Sequence, residues 1–494
     1  MKREVEQRRG AGQMTGKVYL VGAGPGDIGL ITVKGKECLQ KAEVVLYDRL
    51  INPVLLSFVK PSTELIYCGK LPDRHFLRQE AINALLVEKA LEGKTVVRLK
   101  GGDPSVFGRV GEEAEELVLH NIEYEIIPGV TSSIAAASYA GIPVTHREYG
   151  FSFAVVTGHD KSSSGKPIID WAALAGIDTI AFYMGVGNIK YITEQLMSHQ
   201  KSPDTPVILI QWGTYGRQKT LEGTLATISQ KVAEVKFSNP AITLVGNIVA
   251  LREKLAWFEN KKLHGKQIIV ARTGTGESEL GKKLEKYGAE VVHYPQFTTV
   301  KKDVAANLIQ NLHQYEQILF LSPESVQFFM QALVYIKKDL RKVQADFAVH
   351  SVKSERELLK YGCFSEPFDK TKRTLVVGTN AQYEAGDYGA MDFYETHHTE
   401  IQEKSHIILQ RLLADETVNT IVFPSSAAVA TFVDAVCKVE PNAVEQLQHC
   451  HIICYGQKSY DAAVAFGFVH VQMANEPTVD SVVEGLMTET LQTK

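Results

Sequence analysis

Short apolar runs alternate with amphipathic stretches through residues 17–130. The runs are VYLVGAG (18–24), EVVLYD (43–48), ELIYCG (64–69), TVVRL (95–99) and YEIIPG (124–129), each of strand length. Thr32 is placed to cap a helix that continues to Ala42, and helical apolar spacing predicts another helix that ends at Gly93. Strands that alternate with helices indicate an α/β fold with a mostly parallel sheet.

The pattern changes after Tyr149, where long polar segments separate the apolar runs. These later runs are SFAVVTGH (152–159), DTIAFYMG (178–185), PVILIQWGT (206–214) and AITLVGNIV (241–249). They predict a second lobe of the same α/β domain, which finishes near LREKLAWFE (251–259). The stretch ENKKLHG (259–265) is polar and ends in glycine, so we interpret it as a linker between domains.

The remaining residues, 266–494, contain an internal duplication. FLSPESVQFF (320–329) returns as FPSSAAVATF (423–432), SVKSERELLKYG (351–362) as GQKSYDAAVAFG (456–467), and KQIIVAR (266–272) more weakly as KRTLVVG (372–378). Each copy has the pattern of a strand followed by a helix, with Ser322 or Ser425 at the N-cap. The repeat predicts two similar α/β lobes, joined in tandem with a cleft between them.

Length and composition narrow the class of protein. A chain of 494 residues is too long for one hydrophobic core, and 45% hydrophobic with 22% charged residues is usual for a soluble globular protein. The net charge of −4 argues against binding to nucleic acid or to an anionic membrane. No apolar run approaches the roughly 20 residues of a membrane helix.

The termini and cysteines complete this picture. Residues 1–16 are polar and lack an apolar signal segment, so we expect a flexible tail, followed by domains over 17–258 and 266–494, and a cytoplasmic protein. The six cysteines are scattered, and Cys450 with Cys454 has no second pair or histidine cluster to complete a tetrahedral site. We therefore predict no metal.

Glycine turns and charged residues follow the predicted strands. GAGPGD (22–27) and LKGGDP (99–104) each follow a strand, and parallel sheets bind ligands at the carboxyl ends of their strands. Either turn alone is equally typical of an ordinary tight turn, whereas two at neighbouring strand ends favour a nucleoside-sized ligand. Charged residues at other strand ends either line that site or form surface salt bridges.

The motifs, in their order and spacing, resemble the uroporphyrinogen-III C-methyltransferase family over essentially all of residues 17–258. They are GAGPGD, VVLYDRL, CGK, QEAIN, VVRLKGGDPSVFGR, GEE, IPGVTS, GIPVTHR, FYMG and LREKLAWF. The resemblance implies a two-lobed tetrapyrrole-methylase fold, a homodimer, and S-adenosylmethionine as the cofactor. It implies methylation of uroporphyrinogen III on two rings to precorrin-2, toward sirohaem or cobalamin. Methylases of later corrin steps are a weaker alternative, because VVLYDRL and GIPVTHR favour the uroporphyrinogen-level enzyme.

The same resemblance implies roles for individual residues. The cofactor-binding positions are Pro25, Gly101, Gly102, Asp103, Val106, Thr131, Ser132, Met184 and Gly213. Asp48 matches the proton acceptor and Lys70 the proton donor, while the positions linked to the porphyrinogen are Arg49, Arg109, Glu112 and Arg147. Arginine suits a substrate with eight carboxylates because its guanidinium binds carboxylates bidentately. Leu71 stands where a basic residue is usual, so one carboxylate contact is expected to be missing.

Residues 266–494 resemble uroporphyrinogen-III synthase, which implies cyclisation of hydroxymethylbilane with inversion of one ring. The expected cleft residues are Ser322, Ser425, Tyr455, Gly456 and Ser459. Two departures stand against activity: the first lobe has VHSVKSERE where a glycine is usual, and Gly378 lies where an arginine is common. Two hypotheses follow, a bifunctional enzyme and a methyltransferase with a non-catalytic binding or regulatory module.

Overall fold

The computed structural model describes residues 15–69, 78–159, 166–276, 278–415 and 417–492. Its contacts divide them into two compact units. The first unit contains the described residues of 15–272, 278–294 and 403–492, and the second contains 273–276 and 295–402. The methylase-like region thus shares one unit with part of the C-terminal region. No helix of the described residues is long and apolar enough to cross a membrane.

The first sheet is wholly parallel, as its alternation with helices predicts. It consists of β1 (Lys17–Gly22), β2 (Val44–Tyr47), β3 (Glu64–Tyr67), β4 (Val96–Lys100) and β5 (Glu123–Ile127), in the order β3-β2-β4-β1-β5. Its helices are α1 (Val33–Lys41), α2 (Gln79–Leu91), α3 (Val110–Leu119) and α4 (Ser132–Tyr139). Thr32 caps α1 as predicted, because its hydroxyl accepts from the Gly35 amide at 3.0 Å.

Apolar side chains cover both faces of this sheet. Val45 and Tyr47 of β2 belong to one buried cluster, and Val44 and Leu46 belong to another on the opposite face. A strand buried on both faces has a continuous apolar sequence, which explains the unbroken run VVLY. The strand ends are therefore the places where polar groups of the sheet reach a ligand.

The second lobe has a mixed sheet. It consists of β6 (Phe153–Thr157), β7 (Thr179–Tyr183), β8 (Pro206–Gln211), β9 (Lys219–Thr224) and β10 (Ala241–Val245), in the order β6-β7-β10-β8-β9. Its helices are α5 (Trp171–Ala175), α6 (Ile189–Ser198), α7 (Ile228–Glu234) and α8 (Arg252–Leu255). Strand β9 was not predicted, because its sequence KTLEGT is mostly polar; it pairs with β8 at the edge of the sheet.

The C-terminal region continues with two larger sheets and a two-stranded ribbon. Its strands are β11 (Gln267–Ala271), β12 (Glu290–Tyr294), β13 (Phe297–Lys301), β14 (Gln317–Phe320), β15 (Asp346–Val349), β16 (Thr374–Gly378), β17 (Asp392–Glu395), β18 (His397–Ile401), β19 (Thr420–Phe423), β20 (His451–Cys454) and β21 (Val471–Met473). Its helices are α9 (Glu279–Lys286), α10 (Ala306–Gln310), α11 (Pro323–Tyr335), α12 (Val352–Leu359), α13 (Asn380–Glu384), α14 (Glu403–Ala414), α15 (Ser426–Val439), α16 (Ala443–Gln446), α17 (Gln457–Ala465) and α18 (Val479–Gln492).

The two copies of the repeat exchange their first strands. One parallel sheet has the order β12-β11-β19-β20-β21 and the other β15-β14-β16-β17, so β11 of the first copy pairs with β19 of the second. Conversely, β16 of the second copy pairs with β14 of the first. The predicted duplication is present, but the prediction of two lobes joined in tandem is wrong. One lobe is inserted into the other, because the equally apolar strands β11 and β16 each pair with the opposite copy.

Candidate functional site

Three glycine turns meet at the carboxyl ends of β1, β4 and β5. The amide of Gly24 donates to the carbonyl of Gly102 at 3.2 Å, and the amide of Gly102 donates to the carbonyl of Gly24 at 2.8 Å. A Cβ added at Gly129 would lie 2.3 Å from the carbonyl oxygen of Gly102, so no other residue fits there. Backbone hydrogen bonds therefore join the two predicted turns. Gly129, in the motif IPGVTS, packs directly against the backbone of both.

The Asp103 carboxylate stabilises this junction with two hydrogen bonds. It accepts from the Ser105 amide at 2.7 Å and from the Gly129 amide at 2.9 Å. Gly102 has a left-handed backbone with φ of 70°, and a side chain built there would meet nothing within 4 Å. Gly102 thus presents its backbone to open space, where a ligand can approach closely, and Asp103 keeps lone pairs for it.

The second lobe contributes to the same edge through the segment after β8. The Asp27 amide donates to Thr214 Oγ1 at 2.9 Å, and a Cβ on Gly26, next to Pro25, would collide with the Tyr215 ring. A Cβ on Gly213 would lie 2.3 Å from the Cβ of Ala136 in α4. Glycine is therefore required at 26 and 213 for the two lobes to approach each other.

Strained backbone concentrates around these turns. Phe107, Arg109, Met184, Trp212 and Thr214 all have φ between 49° and 74°, the left-handed region that residues with side chains avoid. Such conformations persist where surrounding structure enforces them, and they cluster at ligand sites. Phe107 and Met184 are also nearly half exposed, at 44% and 48%, which is unusual for large apolar side chains beside a sheet edge.

Tyr183 connects the remaining predicted cofactor residues. Its hydroxyl bonds Thr131 Oγ1 and accepts from the Ser133 amide at 2.9 Å, so it fixes the start of α4, where Ser132 is the first residue. The Phe107 ring lies 5.2 Å from the Tyr183 ring. Val106 also lies in this loop, with its amide bonded to the Asp103 carbonyl at 3.2 Å.

A buried network of charged residues holds the predicted proton acceptor. Asp48 follows β2, is 30% exposed, and accepts from Arg98 Nη2 at 3.3 Å. Arg98 also donates to Glu113 at 3.2 Å, and Lys100 Nζ lies 2.7 Å from the same carboxylate oxygen. Burial lowers the pKa of Lys100, with a further contribution from nearby Arg98. Burial alone would lower the pKa of Arg98, but Asp48 and Glu113 outweigh it and raise that pKa.

The sequence interpretation did not assign roles to Arg98, Lys100 and Glu113. Arg98 is 4% exposed and Glu113 is fully buried, and Gln79 donates to the Glu113 carboxylate at 3.1 Å. A signal was available, because Arg98 and Lys100 lie two residues apart in a strand of otherwise apolar residues and so share one face. Charges are buried only when they are paired, which points to a carboxylate partner.

The predicted substrate residues occupy different surroundings. Arg109 and Glu112 form a bidentate pair with each other, with Nε to Oε1 at 2.8 Å. Arg147 is exposed and forms no ion pair with the described residues. Arg49 is 58% exposed, and its Nη2 lies 3.7 Å from Asp415 of the C-terminal region. Lys70 and Leu71 lie outside the described residues.

The predicted synthase residues lie at helix starts, as expected. Ser322 and Ser425 cap α11 and α15, each accepting from the amide three residues later at 3.1 Å. Ser322 is buried and also bonds Ser325 Oγ at 2.9 Å, whereas Ser425 is exposed. Ser459 is buried and donates to the Gly456 carbonyl at 2.8 Å. Burial raises the pKa of the adjacent Tyr455.

Comparison with known families matches both halves of the chain. Residues 17–229 match the model of Tetrapyrrole (Corrin/Porphyrin) Methylases. Residues 278–380 and 384–484 match the model of Uroporphyrinogen-III synthase HemD. The first matched segment contains the Ser322 unit of the internal repeat, and the second contains the Ser425 unit. A two-lobed methylase followed by a duplicated synthase-like region is the class that fold and site define.

Individual relatives extend over nearly the whole chain. The Uroporphyrinogen-III C-methyltransferase of Bacillus subtilis (strain 168) is 45% identical over 468 residues, which cover 93% of this chain and 95% of that protein. The Porphyrin biosynthesis protein HemD of Ruminiclostridium josui is 34% identical over 504 residues, covering 96% and 98%. The structure of the Thermus thermophilus Uroporphyrin-III C-methyl transferase complexed with S-adenyl homocysteine is 36% identical, with a TM-score of 0.42, covering 48% of this chain and 100% of that one. The chain belongs to the uroporphyrinogen-III C-methyltransferase family and carries a uroporphyrinogen-III synthase domain.

Proposed function

We propose that the chain methylates carbon atoms of uroporphyrinogen III with S-adenosylmethionine as the methyl donor. The observation that supports this best is the junction of Gly24, Gly102 and Gly129, which opens at the same sheet edge as Asp48. The glycine turns and Asp103 are proposed to bind the donor, while Asp48, which follows the strand next to β4, remains for the substrate. Family membership supports the reaction, and this arrangement supports the proposed division of the site between donor and substrate.

The residues around the cradle fit the cofactor. Gly102 leaves open space above its backbone, Asp103 retains acceptor capacity for a hydroxyl or an amine, and Met184, which follows Tyr183, exposes an apolar surface. When bound, S-adenosylmethionine supplies an electrophilic methyl group. The protein's contribution is to hold the accepting carbon in line with that group, since positioning lowers the barrier without covalent chemistry.

Asp48 has the position of a general base. Carbon methylation of a pyrrole leaves one proton to be removed, and a carboxylate at the end of β2 is exposed enough to receive it. Arg98 and the Leu50 amide at 3.2 Å hold this carboxylate in place. Arg147, which is exposed, and Arg109, which would exchange Glu112 for substrate, are proposed to bind carboxylates of the porphyrinogen.

The direct test is incubation of the full chain with uroporphyrinogen III and S-adenosylmethionine labelled in the methyl group. We expect two labelled methyl groups per tetrapyrrole after oxidation and mass spectrometry. A folded protein that binds the cofactor and transfers no label would contradict the proposal. A Gly102→Val variant is the matched control, because its side chain fills the cradle and places β-branched bulk at a left-handed position.

We further propose that the C-terminal region cyclises hydroxymethylbilane to uroporphyrinogen III. The paired lobes with serine-capped helices, α11 and α15, support this, because helix N-termini offer amides to substrate carboxylates. Without S-adenosylmethionine, the full chain should yield the type III isomer in excess over type I, which forms spontaneously. A purely type I product would favour the non-catalytic module instead.

Two broader proposals accompany this function. A homodimer is proposed from the family resemblance, and light scattering coupled to size-exclusion chromatography would give twice the chain's 54.7 kDa. A cytoplasmic location is proposed because the substrate belongs to a biosynthetic route for soluble intermediates. Fractionation of cells would test that location.

A further inference from the structure

Helix α14 of the C-terminal region lies against the methylase region within the same compact unit. It contacts the 3-10 helix Pro53–Phe58, and Ile407 packs against the buried cluster that contains Ile51 and Leu55. At its start, Lys404 donates to the carbonyl of Lys60. Residue 407 thus extends the apolar core of the methylase region, and α14 is held at a defined position there.

Three arginines from the two regions line one small cavity beside this helix. Arg49 follows β2, Arg217 follows β8, and Arg411 lies near the end of α14. Arg411 Nη2 donates to the carbonyl of Arg49 at 2.6 Å. Asp415 lies 3.7 Å from Arg49 and 3.9 Å from Arg217, so one carboxylate is shared between two guanidiniums at long distance.

The cavity has unused hydrogen-bonding capacity. Two buried donors, Arg411 Nη1 and Arg217 Nε, and one buried acceptor, Glu290 Oε2, have no hydrogen-bond partner among the described residues, so donors outnumber acceptors. Glu290, the other acid of the cavity, has a raised pKa of about 7, chiefly because of burial, so near neutral pH it is only partly ionised. Positive charge therefore exceeds negative charge, and buried donors without partners are costly unless an acceptor binds.

The position of the cavity relates it to the methylase site. The Arg411 guanidinium lies 5.7 Å from the ring centre of Tyr67, the last residue of β3, and β3 is the neighbour of β2, which Asp48 follows. Arg217 stacks on Trp212 at 3.7 Å, immediately before Gly213. The cluster thus lies between the substrate edge and the segment predicted to bind the cofactor.

We infer that Arg411 of the C-terminal region binds a carboxylate of the porphyrinogen together with Arg49 and Arg217, and so completes the substrate site of the methylase. This inference rests on the proposed function. A guanidinium pair or triad is suited to a carboxylate, because each fork donates two parallel hydrogen bonds. The arrangement also gives the fusion of the two regions a physical purpose, since the methylase depends on a side chain that the second region supplies.

The test compares Arg411→Ala and Arg411→Lys with Lys404→Ala in the full chain. Lys404 lies on the same face of the helix two turns before Arg411 and also contacts the methylase region, but it does not line the cavity. We expect Arg411→Ala to raise the KM for uroporphyrinogen III about tenfold while kcat and the KM for S-adenosylmethionine stay unchanged. Arg411→Lys should restore part of this loss, and Lys404→Ala should resemble the wild type.

A binding titration separates this inference from the proposed function. Fluorescence titration with uroporphyrin III, the oxidised analogue, should show about a tenfold lower affinity for Arg411→Ala than for the wild type. This difference in affinity should become smaller at high salt. Equal affinities for Arg411→Ala and Lys404→Ala would overturn the inference, as would a parallel rise in both KM values, which indicates a structural role. A wild-type chain that binds uroporphyrin III and transfers no methyl group would instead refute the proposed function.

Discussion

The methylase region and the C-terminal region hold their polar groups in different ways. The methylase region buries full charges, with Arg98, Lys100 and Glu113 in one network. The C-terminal region buries mainly uncharged hydroxyls and amides, among them Ser322 and Ser459 at helix starts. Non-glycine residues with a left-handed backbone also concentrate in the methylase region. Among the described C-terminal residues, Lys337 is the one non-glycine residue with a positive φ.

Because of this difference, the two regions should respond differently to single substitutions. A site built from charges depends on individual side chains, since removing one leaves its buried partner uncompensated. A site built from capped helices and backbone amides distributes binding over many groups, each of modest energy. Single substitutions should therefore abolish methylation more readily than cyclisation.

The largest effect is expected at Asp48. Asp48→Asn should reduce methyl transfer by about a hundredfold or more, because the amide cannot accept the pyrrole proton. Cofactor affinity should be unchanged by isothermal titration, since Asp48 follows β2 and the glycine cradle lies at β1, β4 and β5. Asp178→Asn is a suitable control, because that carboxylate belongs to the second lobe, where it accepts from the amides of Phe151 and Ser152 and from the Ser152 hydroxyl. Loss of cofactor binding in Asp48→Asn would contradict the assigned role.

The second prediction concerns stability. Glu113→Ala should lower the free energy of unfolding by about 3 to 5 kcal/mol, because Arg98 and Lys100 lose their shared buried carboxylate. The neighbouring Glu112 is half exposed and its pair with Arg109 lies at the surface, so Glu112→Ala should cost below about 1 kcal/mol. Urea unfolding of both variants measures the difference. Similar losses would mean that the buried network is not the stabilising element.

The third prediction is a pH dependence at Glu290. Burial is the main reason that the pKa of this carboxyl rises from 4.5 to about 7 in the folded chain. As the pH rises through this interval, the unfolded chain loses the proton while the folded chain keeps it, so stability falls, by at most about 3 kcal/mol. Glu290→Gln should flatten this decline in thermal unfolding between about pH 5 and pH 8. An unchanged slope would show that Glu290 does not titrate this way.

The smallest effects are expected at the serine caps. Ser322→Ala and Ser425→Ala should each cost about 1 kcal/mol of stability, because one helix amide loses its acceptor. Ser322→Ala should cost more, since its hydroxyl is buried and also bonds Ser325. Neither should reduce type III isomer formation by more than about tenfold if binding is distributed. A complete loss of type III isomer formation in either variant would contradict the proposed difference between the two regions.

The sequence predicted the elements better than their pairing. The strands of the first lobe were recognised, because VVLY and VVRLK are apolar runs of strand length. The exchange of β11 and β16 could not be predicted, since QIIVA and TLVVG are both mostly apolar and fully buried. Either strand is therefore suited to the same position in either sheet. Periodicity specifies that a strand is buried, and it does not specify which non-local partner it pairs with.

The candidate site shows the same limit. The glycine turns and Asp48 were recognised from motifs, but the anchoring of Asp48 by Arg98 required knowing that Glu113 on α3 reaches the same face of β4. The position of Arg411 beside Arg49 depends on the docking of α14, which joins residues more than 360 positions apart. No local pattern carries such a contact.

Both proposed activities can be measured in a single reaction. The full chain is supplied with hydroxymethylbilane and labelled S-adenosylmethionine, and the oxidised products are separated by isomer and analysed by mass. The account predicts a type III tetrapyrrole that carries two labelled methyl groups, formed by one folded protein. An unlabelled product, or a type I ring as the sole isomer, would contradict the claim that this chain both closes and methylates the tetrapyrrole.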